Sequence, residues 1–483
     1  MYIKSSIFFV CIFLFESAYA QHTALKNYIE QLKNDADLKH AGISFYAMYP
    51  KDKKVIAEYN PYMSLSPASV LKVITTSTAW GVLGGDYQFE TKLEYDGEIK
   101  NNVLEGNLYI TGSGDPSLGS DRIAGNPTAE KLMEKIVKAI QERGIQKING
   151  AVIADETYFE EDILPRNWIW EDIGNYYGSP AYGLNIIENT YTLTFKTEKA
   201  GEEAKLLDCT PKIPNIEFVN EMKVGTASSG DQGFIFGSPY TNLRYLQGSL
   251  PENKGTYQIK GSIPNPPLFA AQMLTQYLNA VGITVVQKPA TTHTTKIQNK
   301  PRTIIYRHLS PSLKYIILHT HLKSINLYAE ALLKTIGKKK LNIGSTEAGC
   351  KAVTQYWQNK GVDMKGMFIN DGSGLSRSSA VCAKKFVDIL QIITTEPWFK
   401  EYYESMSISG KRGYEMNMGP GTFLEGNMHL KGGYITRVCT YVGFLNDKNG
   451  NLICFAMLSN NYTCSVTQMR KKWTDAMLYL AQP

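Results

Sequence analysis

From Thr23 to Leu38, apolar residues recur at helical spacing among mixed charges. The pattern then turns to alternation. Ile43 to Met48 and Val55 to Tyr59 read as the strands of a hairpin, joined by a Lys-rich turn at Pro50 to Lys53. A helix start follows. Ser66 suits an N-cap, Pro67 suits the first helical position, and apolar residues continue through Trp80. Val70, Leu71, Val73, Ile74 and Trp80 cover most of that helix's circumference, which predicts a buried helix.

From about Tyr87 the texture changes to short strands punctuated by Gly and Asn. Phe89 to Tyr95 and Asn107 to Thr111 are strands, Ala129 to Arg143 is a clear helix, and Gly150 to Asp155 is a further strand. This β-rich texture lasts to about Pro267. A helix over Leu268 to Val281 then opens a mixed α/β stretch that closes with a helix over Val466 to Leu480. The expected organisation is a β-rich insertion, residues 88–266, inside an α/β domain made of residues 21–87 and 267–483. The two flanking segments must then pack together as one core.

The first twenty residues read differently. Lys4, the apolar run Ile7 to Phe15 and the small-x-small pattern Ala18-Tyr19-Ala20 describe a secretory signal peptide, residues 1–20, cut after Ala20. The run is too short for a permanent membrane anchor, and no other stretch approaches spanning length. A periplasmic or otherwise exported protein without a transmembrane anchor is expected. Export places six cysteines, Cys209 to Cys464, in an oxidising space. Their spacing contains no zinc-type ligand cluster, and their pairing stays open. His319 and His321 flank Thr320 in an apolar run that reads as a strand, with both rings on one face. The net charge of +6 is spread along the chain without a basic block, which argues against nucleic acid as a partner.

Candidate chemistry begins at Ser69-Val70-Leu71-Lys72. A helix there puts Ser69 in the first turn and Lys72 on the same face one turn on, a nucleophile beside a base. A cap serine and a solvated lysine would share that spacing, so the pair needs company. Ser324-Ile325-Asn326 opens a second apolar helix, where a hydroxyl and an amide can face a cleft. Lys431-Gly432-Gly433 lies on a strand-like segment, offering a cation and a backbone that a ligand can approach closely. Alone, these two would read as an N-cap and a turn.

Together with Gly106 to Tyr109, Gly114 to Leu118, Asp155 to Phe159, Tyr176 to Pro180, Asn185 and Asp371 to Arg377, these residues carry a family likeness. Over nearly the whole mature chain the sequence resembles the penicillin-binding D-alanyl-D-alanine carboxypeptidase/endopeptidase family of the low-molecular-mass class C type, the S13 serine peptidases. The resemblance implies an α/β (α+β) fold of the penicillin-binding-protein/β-lactamase-like serine transpeptidase type, with a large β-rich insertion between first and second motifs. It implies Ser69 as the acylated nucleophile and Lys72 as the candidate base. Ser324 and Asn326 would form the second motif and Lys431 the third-motif cation. Gly432, Gly433, Arg377 and Asp155 would lie near substrate. The implied partners are peptidoglycan stem peptides, with β-lactams as covalent inhibitors; no metal or cofactor is required, and oligomeric state stays open. A β-lactamase fits less well, because the insertion and the Asp371 to Arg377 segment match the peptidase. The third motif departs from the usual Lys-Thr-Gly or Lys-Ser-Gly, since Gly432 lacks the hydroxyl. That departure predicts weakened turnover, with Tyr434 or Thr436 as partial substitutes. It leaves a catalytically decayed peptidoglycan-binding scaffold as the alternative.

Overall fold

The computed structural model describes residues 23–253, 255–295 and 300–482. The expected signal peptide lies outside the described residues. The chain forms two compact units. The first contains the described residues up to Val82, Ile317–Ser324, and the chain from Cys350 onward; the second contains Leu83–Ile316 and Ile325–Gly349.

The first unit is built on a six-stranded sheet. Its strands are β1 (Gly42–Met48), β2 (Val55–Tyr59), β3 (Ser407–Ile408), β4 (Met428–Ile435), β5 (Val438–Asn446) and β6 (Leu452–Asn460). The order is β3-β4-β5-β6-β1-β2, antiparallel throughout. The early hairpin thus completes a sheet whose other strands come from the last eighty residues or so of the chain. Strand alternation divides the sheet's faces. Ile43, Phe45 and Ala47 of β1, with Ile453, Phe455 and Met457 of β6, join Leu25 and Ile29 of α1 (residues 23–33) in one apolar core. Met469, Trp473 and Met477 of α7 (Val466–Ala481) complete it. On the other face, α5 (Ala383–Ile393) packs against β1, β5 and β6, and its Ala383 N–H donates to Ser44 of β1.

The helix α2 (Leu71–Leu83) is buried at every position from Leu71 to Trp80. It starts later than its sequence suggests. A single 3₁₀ turn, Ala68–Val70, precedes it, and Ser66 makes no cap bond. Instead the Ser66 N–H and carbonyl are both held by the Asn460 side chain at the end of β6, which fixes the entry to α2 from the sheet. Ala68 sits at φ +47°, a costly conformation for a residue with a Cβ, directly before Ser69.

The helix α3 (Leu313–Lys323) corrects the strand reading of His319 and His321. Short apolar runs carry both interpretations, since apolar residues cluster in them without a clear period of two or about 3.6.

The second unit is β-rich, with four small sheets among the described residues. In the largest, Glu90–Tyr95 lies between Thr303–Leu309 and Leu108–Thr111, and Val152–Asp155 follows. Helix Pro266–Ala280 packs on Val152–Asp155, and helix Ala129–Glu142 packs on Pro266–Ala280. These pairings hold residues 266–316 in the second unit, so the chain does not return to the first at residue 267. The physical reason is the long-range strand pairing of Thr303–Leu309 with Glu90–Tyr95, which composition does not reveal.

Candidate active site

Ser69 lies in the 3₁₀ turn and is partly exposed. Lys72, one turn on, is fully buried. Its Nζ donates to Ser69 Oγ at 2.9 Å and to the Ser373 carbonyl at 2.8 Å. The loop that supplies this carbonyl is itself rigidly built. The Asp371 carboxylate accepts from the N–H groups of Gly374 (3.0 Å) and Ser376 (2.7 Å), and Thr75 of α2 donates to the Gly372 carbonyl at 2.7 Å. Gly374, at φ +79°, lies so close to the Ala68 carbonyl that no side chain could fit there. The loop therefore clamps the turn carrying Ser69 from one side.

The strand β4 closes the other side. A Cβ on Gly433 would lie 2.8 Å from both the Ser69 nitrogen and the Pro67 carbonyl oxygen, and Thr440 of β5 donates to that carbonyl at 2.7 Å. Lys431, two residues back, is fully buried and its Nζ donates to the Gly432 carbonyl at 2.5 Å. Burial pushes its pKa down, and the Glu415 carboxylate works against that shift.

Beneath both lysines lies a neutral polar network. His321 of α3 accepts or donates at both ring nitrogens, to Thr76 Oγ1 (2.9 Å) and Ser405 Oγ (3.0 Å). Tyr402, on α6 (Phe399–Ser405), donates to the Val73 carbonyl and meets Thr76 Oγ1, each at 2.9 Å. Burial, reinforced by the charges of Lys431 and Lys72, pushes the His321 pKa down to about 3. His321 is therefore a neutral packing and hydrogen-bonding group at physiological pH. No group of His, Cys, Asp and Glu suited to a metal occurs among the described residues.

The profile of the D-Ala-D-Ala carboxypeptidase 3 (S13) family matches residues 25–482. The chain belongs to this family. S13 relatives include a D-alanyl-D-alanine carboxypeptidase DacB of Haemophilus influenzae, 25% identical over 438 residues that span 89% of this chain and 88% of the relative. A D-alanyl-D-alanine carboxypeptidase of Actinomadura sp. (strain R39) is 26% identical over 461 residues, 93% of this chain and 83% of the relative. The crystal structure of penicillin binding protein 4 (dacB) from Haemophilus influenzae superposes with a TM-score of 0.81 at 24% identity. It covers 94% of this chain and 99% of that one, and it shows a shared fold. This S13 protein is accordingly a serine-type peptidase with the mixed α+β architecture of penicillin-binding proteins.

The S13 chain brings Ser69, Lys72, Lys431, Gly432 and Gly433 into one unit, with Ser324 at φ +56° at the end of α3's unit segment. Asn326 opens the helix Asn326–Leu341 of the second unit, where its Nδ2 donates to the Tyr177 carbonyl at 2.8 Å. Arg377 is exposed on the far end of the Asp371 loop. Asp155 differs most from the expectation of a substrate contact. It is buried in the second unit, accepts from Arg302 Nη1 at 2.6 Å and caps the turn at Thr157. An ion pair on a sheet and a turn cap account for it fully.

Two functional neighbours escaped sequence reading. Ser373 contributes a carbonyl, and every residue has one, so no side-chain signal could mark it. Glu415 is a buried carboxylate in the loop between β3 and β4, and its Oε1 accepts from the Gly432 N–H at 2.7 Å. A Cβ on Gly432 would collide with that oxygen. Glycine at 432 is thus the residue that Glu415 requires, rather than a sign of decay. Tyr434, expected as a partial substitute, instead meets the Tyr441 hydroxyl and lies under Arg470.

Proposed function

We propose that Ser69 is the nucleophile that opens acyl-D-Ala–D-Ala bonds of peptidoglycan stem peptides, with Lys72 taking its proton. The carrying observation is the 2.9 Å contact between the hydroxyl of a partly exposed serine and a fully buried amine. Ser69 Oγ attacks the penultimate carbonyl while its proton passes to Lys72 Nζ. The oxyanion draws on the Ser69 N–H and on a backbone N–H of β4 just past Gly433, the segment lying against it. Collapse breaks the C–N bond, and terminal D-Ala departs as an amine that receives a proton relayed through Ser324. Water then cleaves the Ser69 ester and restores the hydroxyl. Lys431 supplies positive charge on the leaving side.

β-Lactams present the same acyl bond in a ring, so they would be held as Ser69 esters. A Haemophilus influenzae relative of this fold is known in complex with a novel β-lactam. The substrate lies outside the cytoplasm, which accords with residues 1–20 acting as an export signal. A scaffold without turnover is not favoured, because the serine–lysine pair is intact and Gly432 has a local packing reason. Fluorescent penicillin should label the wild type and not Ser69→Ala, with the adduct mapped to Ser69 by mass spectrometry. Labelling that survives Ser69→Ala would remove Ser69 from this role.

A further inference from the structure

Glu415 sits on Gly432, one residue before the glycine that packs against Ser69. The β3–β4 pairing ends at Leu430, so from Lys431 onward the outer edge of β4 has no strand beside it. On that edge the Gly432 N–H is taken by Glu415 Oε1, and the Gly432 carbonyl by Lys431 Nζ. Glu415 is only 3% exposed, and its second oxygen, Oε2, is buried with no hydrogen-bond partner among the described residues. Glu415 therefore faces Lys431 with one acceptor oxygen unused.

Its position relative to the chemistry follows from the strand. Gly433 packs on the Ser69 nitrogen, and one strand residue advances about 3.3 Å, so the Lys431–Gly432 peptide lies within roughly 7 Å of the reacting serine. In a D-Ala-D-Ala terminus the free carboxyl carbon is three bonds from the scissile carbonyl carbon, a span of about 4 Å at most. A substrate acylating Ser69 with its leaving carboxylate toward Lys431 therefore brings that carboxylate close to Glu415. The two like charges then compete for one buried ammonium.

The geometry points to Glu415 as a specificity-determining residue that removes the usual advantage of a free terminal carboxylate. The site thereby accepts substrates whose leaving residue is neutral at that position, such as a C-terminal amide or an amidated crosslink. This inference rests on the proposed Ser69 acyl-enzyme. Glu415 would act on substrate selection through charge, leaving the nucleophile and its base alone.

The test compares two peptides, diacetyl-L-Lys-D-Ala-D-Ala and its C-terminal amide, with full-length mature protein. The wild type should cleave the two with kcat/KM values within about threefold of each other. In Glu415→Gln the free acid should improve about tenfold, mainly through KM, while the amide changes by less than about twofold. A purely structural Glu415 would move both peptides together and shift the melting temperature. That result, or a wild type already preferring the acid more than tenfold, overturns the proposal. The wild-type ratio needs no variant, so a misfolded Glu415→Gln does not shield the idea. A second readout is acylation by a penicillin against its methyl ester, which should show the same charge discrimination. If neither peptide is cleaved and no penicillin label forms, the Ser69 reading fails and this inference falls with it. Cleavage with a strong preference for the acid removes the inference alone.

Discussion

Three fully buried lysines of this chain can be compared, two beside Ser69 and one, Lys334, in the second unit. Lys334 Nζ donates to the carbonyls of Ile163 and Ala181, each at 3.0 Å, and burial pushes its pKa down to about 8. Lys72 also holds a carbonyl, but it donates as well to the hydroxyl of a partly exposed serine. Lys431 holds the carbonyl of the next residue with a buried carboxylate nearby. Burial of an amine is thus common to structural and reactive sites. What distinguishes the reactive one is an accessible partner that can exchange a proton with it.

The strongest way to break this distinction is Lys72→Met. It should lower β-lactam acylation and peptide turnover by roughly 10³-fold while the protein stays folded, read by stopped-flow labelling beside circular dichroism. Equal loss in Lys334→Met would erase the contrast. Next in size is Gly433→Ala, whose methyl meets Ser69 N and Pro67 O at 2.8 Å. Displacing the serine should cost about 10²-fold in kcat/KM, and overpacking about 1–3 kcal/mol in a urea melt.

Lys334 sharpens the comparison through pH. Its folded pKa, about 8, is below the unfolded value of 10.5, so between these the unfolded chain binds more protons. Wild-type stability should therefore rise with pH across 8 to 10.5, by about 1.4 kcal/mol per unit at most. Lys334→Met should flatten that rise in urea melts and leave turnover within about twofold. Glu156 gives an effect of opposite sign. Burial raises its pKa to about 7, so the native state holds a proton that the unfolded state loses above 4.5. Stability should fall as pH rises from 4.5 to 7, and Glu156→Gln should remove this slope.

Much of the first unit was legible because its signals are local. The β1–β2 alternation, the Pro67 to Trp80 run and the last helix each announce themselves within a few residues. Ser69 and Lys72 were readable for the same reason, since one helical turn joins them. The Ser373 carbonyl was not, because it reaches Lys72 from 301 residues away through backbone geometry, and neither was Glu415, which reaches Gly432 from a loop 17 residues earlier. Asp155 shows the reverse error. Its place in a family-like segment suggested substrate, yet Arg302, 147 residues on, consumes its charge. The end of the inserted region was misplaced because strand Thr303–Leu309 belongs to a partner two hundred residues earlier.

The Ser373 carbonyl has a bearing on the second half of the reaction. Esterification of Ser69 takes away a hydroxyl that orients the Lys72 amine, but it leaves the loop carbonyl untouched. The amine stays moored while the hydroxyl is occupied, still aimed at the ester when water arrives. In the proposed reaction, a loop tethered through Asp371 and Thr75 would thereby keep the Lys72 amine on station between the two chemical steps.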